Sequence, residues 1–222
     1  MKEIKAVILD FDGTLLDSYS YGFKHLGWIA ERYGFSLTAD IRQKMLETWG
    51  HTGIEFLQSL FGIDEAVARR MYLDWEALDT EDPIPLVSGA MTTLQWFREQ
   101  TYTACVLTSR HRKTVMSILA RERLHDYFAR ITAREDSNFT KPDRRAFIGI
   151  LQTLARQKVC REECLFVGDT FIDIEAGRNV GINTVVVETG PYRHEHHKTH
   201  PVPEDHVIPS IANLPSWIQS AH

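Results

Sequence analysis

The chain has 222 residues, 43% of them hydrophobic and 25% charged, enough apolar mass for a core domain of ordinary size plus one smaller module. That balance excludes long disordered tails. A formal net charge of -5 with no basic stretch argues against any partner recognised through a nucleic-acid backbone.

Met1 to Lys5 leads directly into an apolar run with no signal-peptide core, and no apolar run approaches ~18 residues, so a cytoplasmic protein that does not use a membrane is expected. Ile4 to Leu9 is short and rich in β-branched residues, the pattern of a strand buried on both faces of a parallel sheet. It stops at two acids one residue apart, Asp10 and Asp12. Gly13 then allows a tight turn and close approach of a ligand to the backbone.

The next convincing strand, Thr103 to Leu107, comes about ninety residues later, where a plain βαβ crossover needs only about thirty. An insert is therefore expected. Phe23, Leu26, Ile29, Ala30 and Tyr33 form one helical stripe ending at Gly34, and Ile41–Thr48, Ile54–Leu60 and Ala66–Leu78 repeat the spacing, with Asp40 and Asp64 as capping candidates. The expected division is a Rossmann-like core of residues 1–17 and 82–222 carrying a helical cap domain of residues 18–81. Pro83 and Pro85 stiffen the exit from the insert.

Beyond the helical face of Met91, Leu94 and Phe97, strands and helices alternate: strand 103–108, helix 112–122, strand 128–133, helix 143–157, strand 164–168, helix 171–180, strand 183–188. This predicts an α/β fold, a parallel sheet with helices on both faces. Gly181 suits a helix end, Ser210 a helix start, and Pro215 is read as breaking a short terminal helix. The odd set Cys105, Cys160 and Cys164 predicts no disulfide framework. The segment His194 to His200 could bind a transition metal, but its polar, proline-bounded setting favours solvated surface.

Ligands of open α/β sheets bind beyond the carboxyl ends of the strands. There the chain offers Asp10 and Asp12, then Thr108-Ser109-Arg110, then Lys141, then Asp169 and Asp173. Brought together, these suit phosphoryl transfer through an aspartyl-phosphate. Asp10 would attack phosphorus; a hard cation, most simply Mg²⁺, would be held by Asp10 and Asp169; Lys141 would neutralise nucleophile and phosphoryl oxygens. Thr108, ahead of a helix, would bind phosphate with its neighbour Ser109. Asp12 would protonate the leaving oxygen and then activate water, and Asp173 would orient Lys141 or metal-bound water.

Asp10-Phe11-Asp12-Gly13-Thr14 resembles the first motif of the haloacid dehalogenase-like hydrolase superfamily, and Thr108, Lys141 and Asp169 with Asp173 resemble the other three, in order. The likeness spans essentially the whole chain. It implies that Asp10 is the phosphorylated nucleophile, Asp12 the acid/base whose backbone carbonyl also reaches Mg²⁺, Thr108 and Lys141 the phosphate clamp, and Asp169 the remaining metal ligand. The insert resembles the helical cap of phosphoglycolate phosphatase-like members. Ser109-Arg110 departs from the Asn or Gly, then Lys, frequent after the second motif. The expected activity is Mg²⁺-dependent hydrolysis of a small phosphate monoester, phosphoglycolate-like, with sugar phosphates, nucleoside monophosphates and pyrophosphate also open. A phosphomutase is the alternative, and a phosphorylatable non-catalytic switch a further one. Trp49 to Gly53, with Arg42 and Lys44 nearby, is the insert's candidate for reaching the substrate, against a surface reading. Oligomeric state is not readable from the sequence.

Overall fold

The computed structural model of the chain describes residues 2–48, 53–193 and 201–220. Its centre is a six-stranded sheet in the order β3-β2-β1-β4-β5-β6, with β1 at Ala6–Leu9, β2 at Thr103–Leu107, β3 at Phe128–Thr132, β4 at Cys164–Gly168, β5 at Asn183–Val187 and β6 at Val207–Ile208. Every pairing is parallel. This is the α/β, Rossmann-like arrangement expected, with its order reversing at β1.

The period-two geometry of strands explains why these runs are apolar throughout. Val7, Leu9, Val106, Leu165 and Val167 enter one buried cluster, whereas Ala6, Ile8, Cys105, Leu107 and Phe166 enter another on the opposite face. Helices α5 (Ala90–Glu99), α6 (Arg112–Arg121) and α9 (Leu214–Ser220) cover the first face through Leu94, Phe97, Val115, Leu119, Leu214 and Ile218. Helices α7 (Ile148–Arg156) and α8 (Phe171–Val180) cover the second through Ile150, Leu154, Ala176 and Val180. All three cysteines are free thiols, Cys105 and Cys164 buried and Cys160 exposed.

Between β1 and α5 run α1 (Ser18–Arg32), α2 (Ala39–Thr48), α3 (Gly53–Phe61) and α4 (Glu65–Glu81). They close around their own cluster, which includes Leu26, Ile29, Met45, Phe56, Leu57, Leu60 and Met71. The chain enters and leaves this helical unit side by side: Leu16 bridges Leu86, Asp17 donates to the Pro85 carbonyl at 2.9 Å and Val87 to the Leu15 carbonyl at 2.9 Å. Lys24 and His25 add bonds of 2.6 and 2.8 Å to the Asp82 carboxylate.

Local details differ from the expectations in four places. Thr38, not Asp40, caps α2, accepting from the Ile41 amide at 3.3 Å, because the helix starts one residue before the aspartate. Residues 144–147 form a 3₁₀ turn before α7 begins. Pro215 does not break α9; it lies in the first turn, where a missing N–H is harmless. The two-residue β6 is too short to show a periodicity in the sequence. Asp64 does cap α4, accepting from the Val67 amide at 2.8 Å. Among the described residues no helix is long and apolar enough to cross a membrane, and His194 to His200 lies outside them.

Phe147 is fully buried, edge-on to Phe166 at 5.2 Å between ring centroids. Phe147→Ala should lower stability by about 3–5 kcal/mol through lost burial and the cavity left behind, visible as a reduced urea midpoint with little change of slope.

Candidate active site

Strand ends deliver Asp10, Thr108 and Asp169, whereas Lys141 comes from the loop beyond β3 and Asp173 from the first turn of α8. Asp10 follows β1, tied to β4 by its amide donating to the Val167 carbonyl at 2.8 Å. Gly13, at φ +72°, reverses the chain, and its amide donates to the buried Ser18 hydroxyl at 2.9 Å. Thr108 follows β2, and its hydroxyl accepts from the Arg110 amide at 3.1 Å, so Thr108 and Ser109 stand in the turn ahead of α6. Asp169 follows β4, and Thr170 caps α8 by accepting from the Asp173 amide at 3.3 Å.

One cavity joins these points. Asp10, Asp12, Thr108, Ser109, Lys141 and Asp169 all line it, facing Phe56, Tyr72 and Trp75 of the helical unit. Lys141 lies between two carboxylates, 2.7 Å from Asp10 Oδ1 and 2.6 Å from Asp173 Oδ1. The other oxygen of Asp173 accepts from the amides of Asp169 and Thr170 and from the Thr170 hydroxyl at 2.7 Å. Asp173 is thereby fixed by the helix start and in turn fixes the lysine.

The electrostatics are those of a site built for added positive charge. Asp10, Asp169 and Asp173 are buried, each with an oxygen within 4.8 Å of the others. Neither Asp169 oxygen has a hydrogen-bond partner among the described residues, an arrangement that burial makes costly unless a cation completes it. Burial first, then Asp10 and Asp173, push the Asp169 carboxyl well above its ordinary range. The Asp10 carboxyl is raised to about 7, chiefly by burial and against the pull of Lys141. Burial alone would lower the Lys141 amine, but the two carboxylates outweigh it and raise it. Oxygen-only donors in a buried, charge-deficient cluster fit a hard divalent cation such as Mg²⁺.

Gly190 carries no signal in the sequence, and nothing local in it joins Arg110 to Asp12. Gly190, after β5, packs against Asp169: a Cβ there would fall 1.6 Å from Asp169 Oδ2, and one on Gly13 would fall 2.0 Å from the same atom. The approach that Gly13 permits is thus filled by a carboxylate of the site itself. Arg110 forks onto Asp12, with Nε at 3.1 and 3.0 Å from Oδ1 and Oδ2 and its Nη2 at 2.6 Å from Oδ1. From the insert, Gly53 lines the cavity, while Trp49 to Thr52 lie outside the described residues. Arg42 and Lys44 are exposed and do not line it; Arg42 flanks a shallow groove with Tyr19 and Phe23.

Comparison with known proteins adds independent findings. The family model described as haloacid dehalogenase-like hydrolase matches residues 7–187. The chain is 25% identical over 202 residues to a phosphoglycolate phosphatase of Pseudomonas putida, covering 86% of this chain and 71% of that one. It is 27% identical over 192 residues to the pyrophosphatase PpaX of Halalkalibacterium halodurans, covering 83% and 84%. Its fold matches the crystal structure of a hydrolase from Pseudomonas syringae with a TM-score of 0.78 at 22% identity, covering 97% of this chain and 98% of that one.

Because the folded state raises both carboxyls, the stability they confer is intact below about pH 4 and falls as pH rises through about 7. Asp169→Asn in EDTA should therefore raise the melting temperature at pH 8 by roughly 3–8 °C and change it little at pH 4. Added Mg²⁺ should stabilise the unsubstituted protein and largely fail to stabilise the variant, as thermal denaturation would register.

Proposed function

Because the chain belongs to the haloacid dehalogenase-like hydrolase family, we propose that it is a Mg²⁺-dependent phosphatase that hydrolyses a small phosphate monoester through an aspartyl-phosphate on Asp10. The observation that carries this reading is the meeting of Asp10, Asp12, Thr108, Lys141 and Asp169 in one cavity, with both Asp169 oxygens left without donors among the described residues. The helical unit of residues 18–81 serves as the cap over the core of residues 1–17 and 82–222.

Asp10 attacks phosphorus, displacing the leaving oxygen. Carboxylate and phosphate repel one another, and Lys141, 2.7 Å from Asp10, offsets that repulsion and opposes the rise that burial imposes on the Asp10 carboxyl. Asp10 and Asp169, with the backbone carbonyl of Asp12, would hold Mg²⁺, which when bound supplies further positive charge at the transferring phosphoryl group. The Thr108 hydroxyl and the Ser109 segment hold the phosphoryl oxygens ahead of α6. Asp12 gives a proton to the leaving oxygen, and later takes one from the water that cleaves the aspartyl-phosphate. Asp173 keeps the Lys141 amine on the nucleophile. The aromatic wall of Phe56, Tyr72 and Trp75 excludes bulk water from the reacting atoms.

Asp10→Asn should abolish Mg²⁺-dependent release of inorganic phosphate from a small-ester panel by roughly 10³-fold or more, with an unchanged circular dichroism spectrum. Substantial turnover by that variant would remove Asp10 as nucleophile. Asp12→Asn should instead slow hydrolysis and leave a fraction of the chain phosphorylated, detectable as an added phosphate mass after acid quench. Interconversion of two sugar phosphates without stoichiometric phosphate release would favour the mutase instead.

A further inference from the structure

The far wall of the cavity, opposite the reacting carboxylates, is built by Gly53, Phe56, Tyr72, Trp75 and Glu76. Phe56 and Trp75 stand 5.8 Å apart, tilted by 36°, and make the apolar part of that wall aromatic. The one charged residue that the helical unit contributes to the lining, among the described residues, is Glu76. Its Oε1 accepts from the Tyr72 hydroxyl at 2.8 Å and from the Thr114 hydroxyl of α6 at 2.9 Å. Burial, then Glu76, raises the Tyr72 phenol, which keeps Tyr72 a donor. Tyr72 itself reaches this position because residue 53 is glycine: a Cβ there would lie 2.0 Å from its ring.

Two donors therefore fix one oxygen of Glu76, while Oε2 makes no hydrogen bond among the described residues. Cations do line the core side, but each already faces an acid: Lys141 faces Asp10 and Asp173, and Arg110 is forked on Asp12. A leaving group entering the aromatic wall thus meets an acceptor and, among the described residues, no unopposed positive charge.

We propose that Glu76 is a specificity-determining residue, and that the phosphatase takes monoesters whose leaving group is neutral or cationic and offers a hydroxyl or ammonium donor to Oε2, its carbon chain lying against Phe56 and Trp75. Esters ending in a carboxylate or a second phosphate are disfavoured, because like charge is brought against Glu76 in a partly dehydrated space. This rests on the phosphatase reading above.

Three esters of equal length test it: 2-aminoethyl phosphate, 2-hydroxyethyl phosphate and phosphoglycolate, each assayed with Mg²⁺ alongside p-nitrophenyl phosphate. Expected kcat/KM for the two donor-bearing esters exceeds that for phosphoglycolate by roughly tenfold or more. Glu76→Gln should shrink the aminoethyl-to-phosphoglycolate ratio by roughly tenfold, mostly through KM, and Glu76→Lys should reverse the order. Any order in the unsubstituted enzyme in which phosphoglycolate is not the poorest of the three overturns the inference. So does a uniform loss on all three esters in Glu76→Gln, which is what a residue that merely ties α4 to Thr114 would give. Turnover of p-nitrophenyl phosphate beside such a result leaves the phosphatase reading standing; no turnover of any ester removes both.

Discussion

Three buried carboxylates gathered around one ammonium group set the terms for the rest of the molecule. Asp10, Asp169 and Asp173 lie within ligand distance of one another, and among the described residues only Lys141 opposes them directly, bonded to two of the three. Removing ionised groups from water is expensive unless each is paired. Asp173 is fully paired, by the lysine and by the start of α8. Asp169 is not. The fold therefore leaves an excess of buried negative charge at one point, a setting that suits a hard divalent cation.

The delivery of those groups follows from topology. Strand β1 sits between β2 and β4, so its carboxyl end is flanked by the turns carrying Thr108 and Asp169. The helical unit leaves from that same end and returns to it, because its two connections pair with one another at Leu16 and Leu86. The helical unit is tethered at that end by this bridge and its flanking backbone bonds, and its Phe56 and Tyr72, 46 and 62 residues from Asp10 in sequence, share a cavity with Asp10.

What the sequence made legible tracks how local the physics is. The strands were readable because both faces are buried, giving unbroken apolar runs, and the acids were readable because they stand where such runs stop. Lys141 was placed by the logic of converging strand ends. Gly190 gave no comparable sign: its role is to leave space for Asp169, and steric room from a residue twenty-one positions away has no periodicity. Glu76 sits on a helix whose pattern shows only which face is apolar, so its turn toward Thr114 depends on how two packed units meet. Arg110 was visible as a departure after Thr108, yet nothing local joins it to Asp12.

That last pairing bears on the chemistry. With Arg110 donating to both Asp12 oxygens at 2.6 to 3.1 Å, both oxygens of that carboxyl group are engaged. A forked guanidinium is a directional partner and holds its carboxylate in one orientation. Proton transfer from Asp12 consequently requires a rotation of its side chain or the withdrawal of Arg110. Neither motion asks anything of the sheet, since Arg110 stands in the turn after β2 and Asp12 in the turn after β1. The two acids are thus held differently: Asp10 by burial and Lys141, and Asp12, two positions further on, by the fork of Arg110, which suits the separate roles proposed for them.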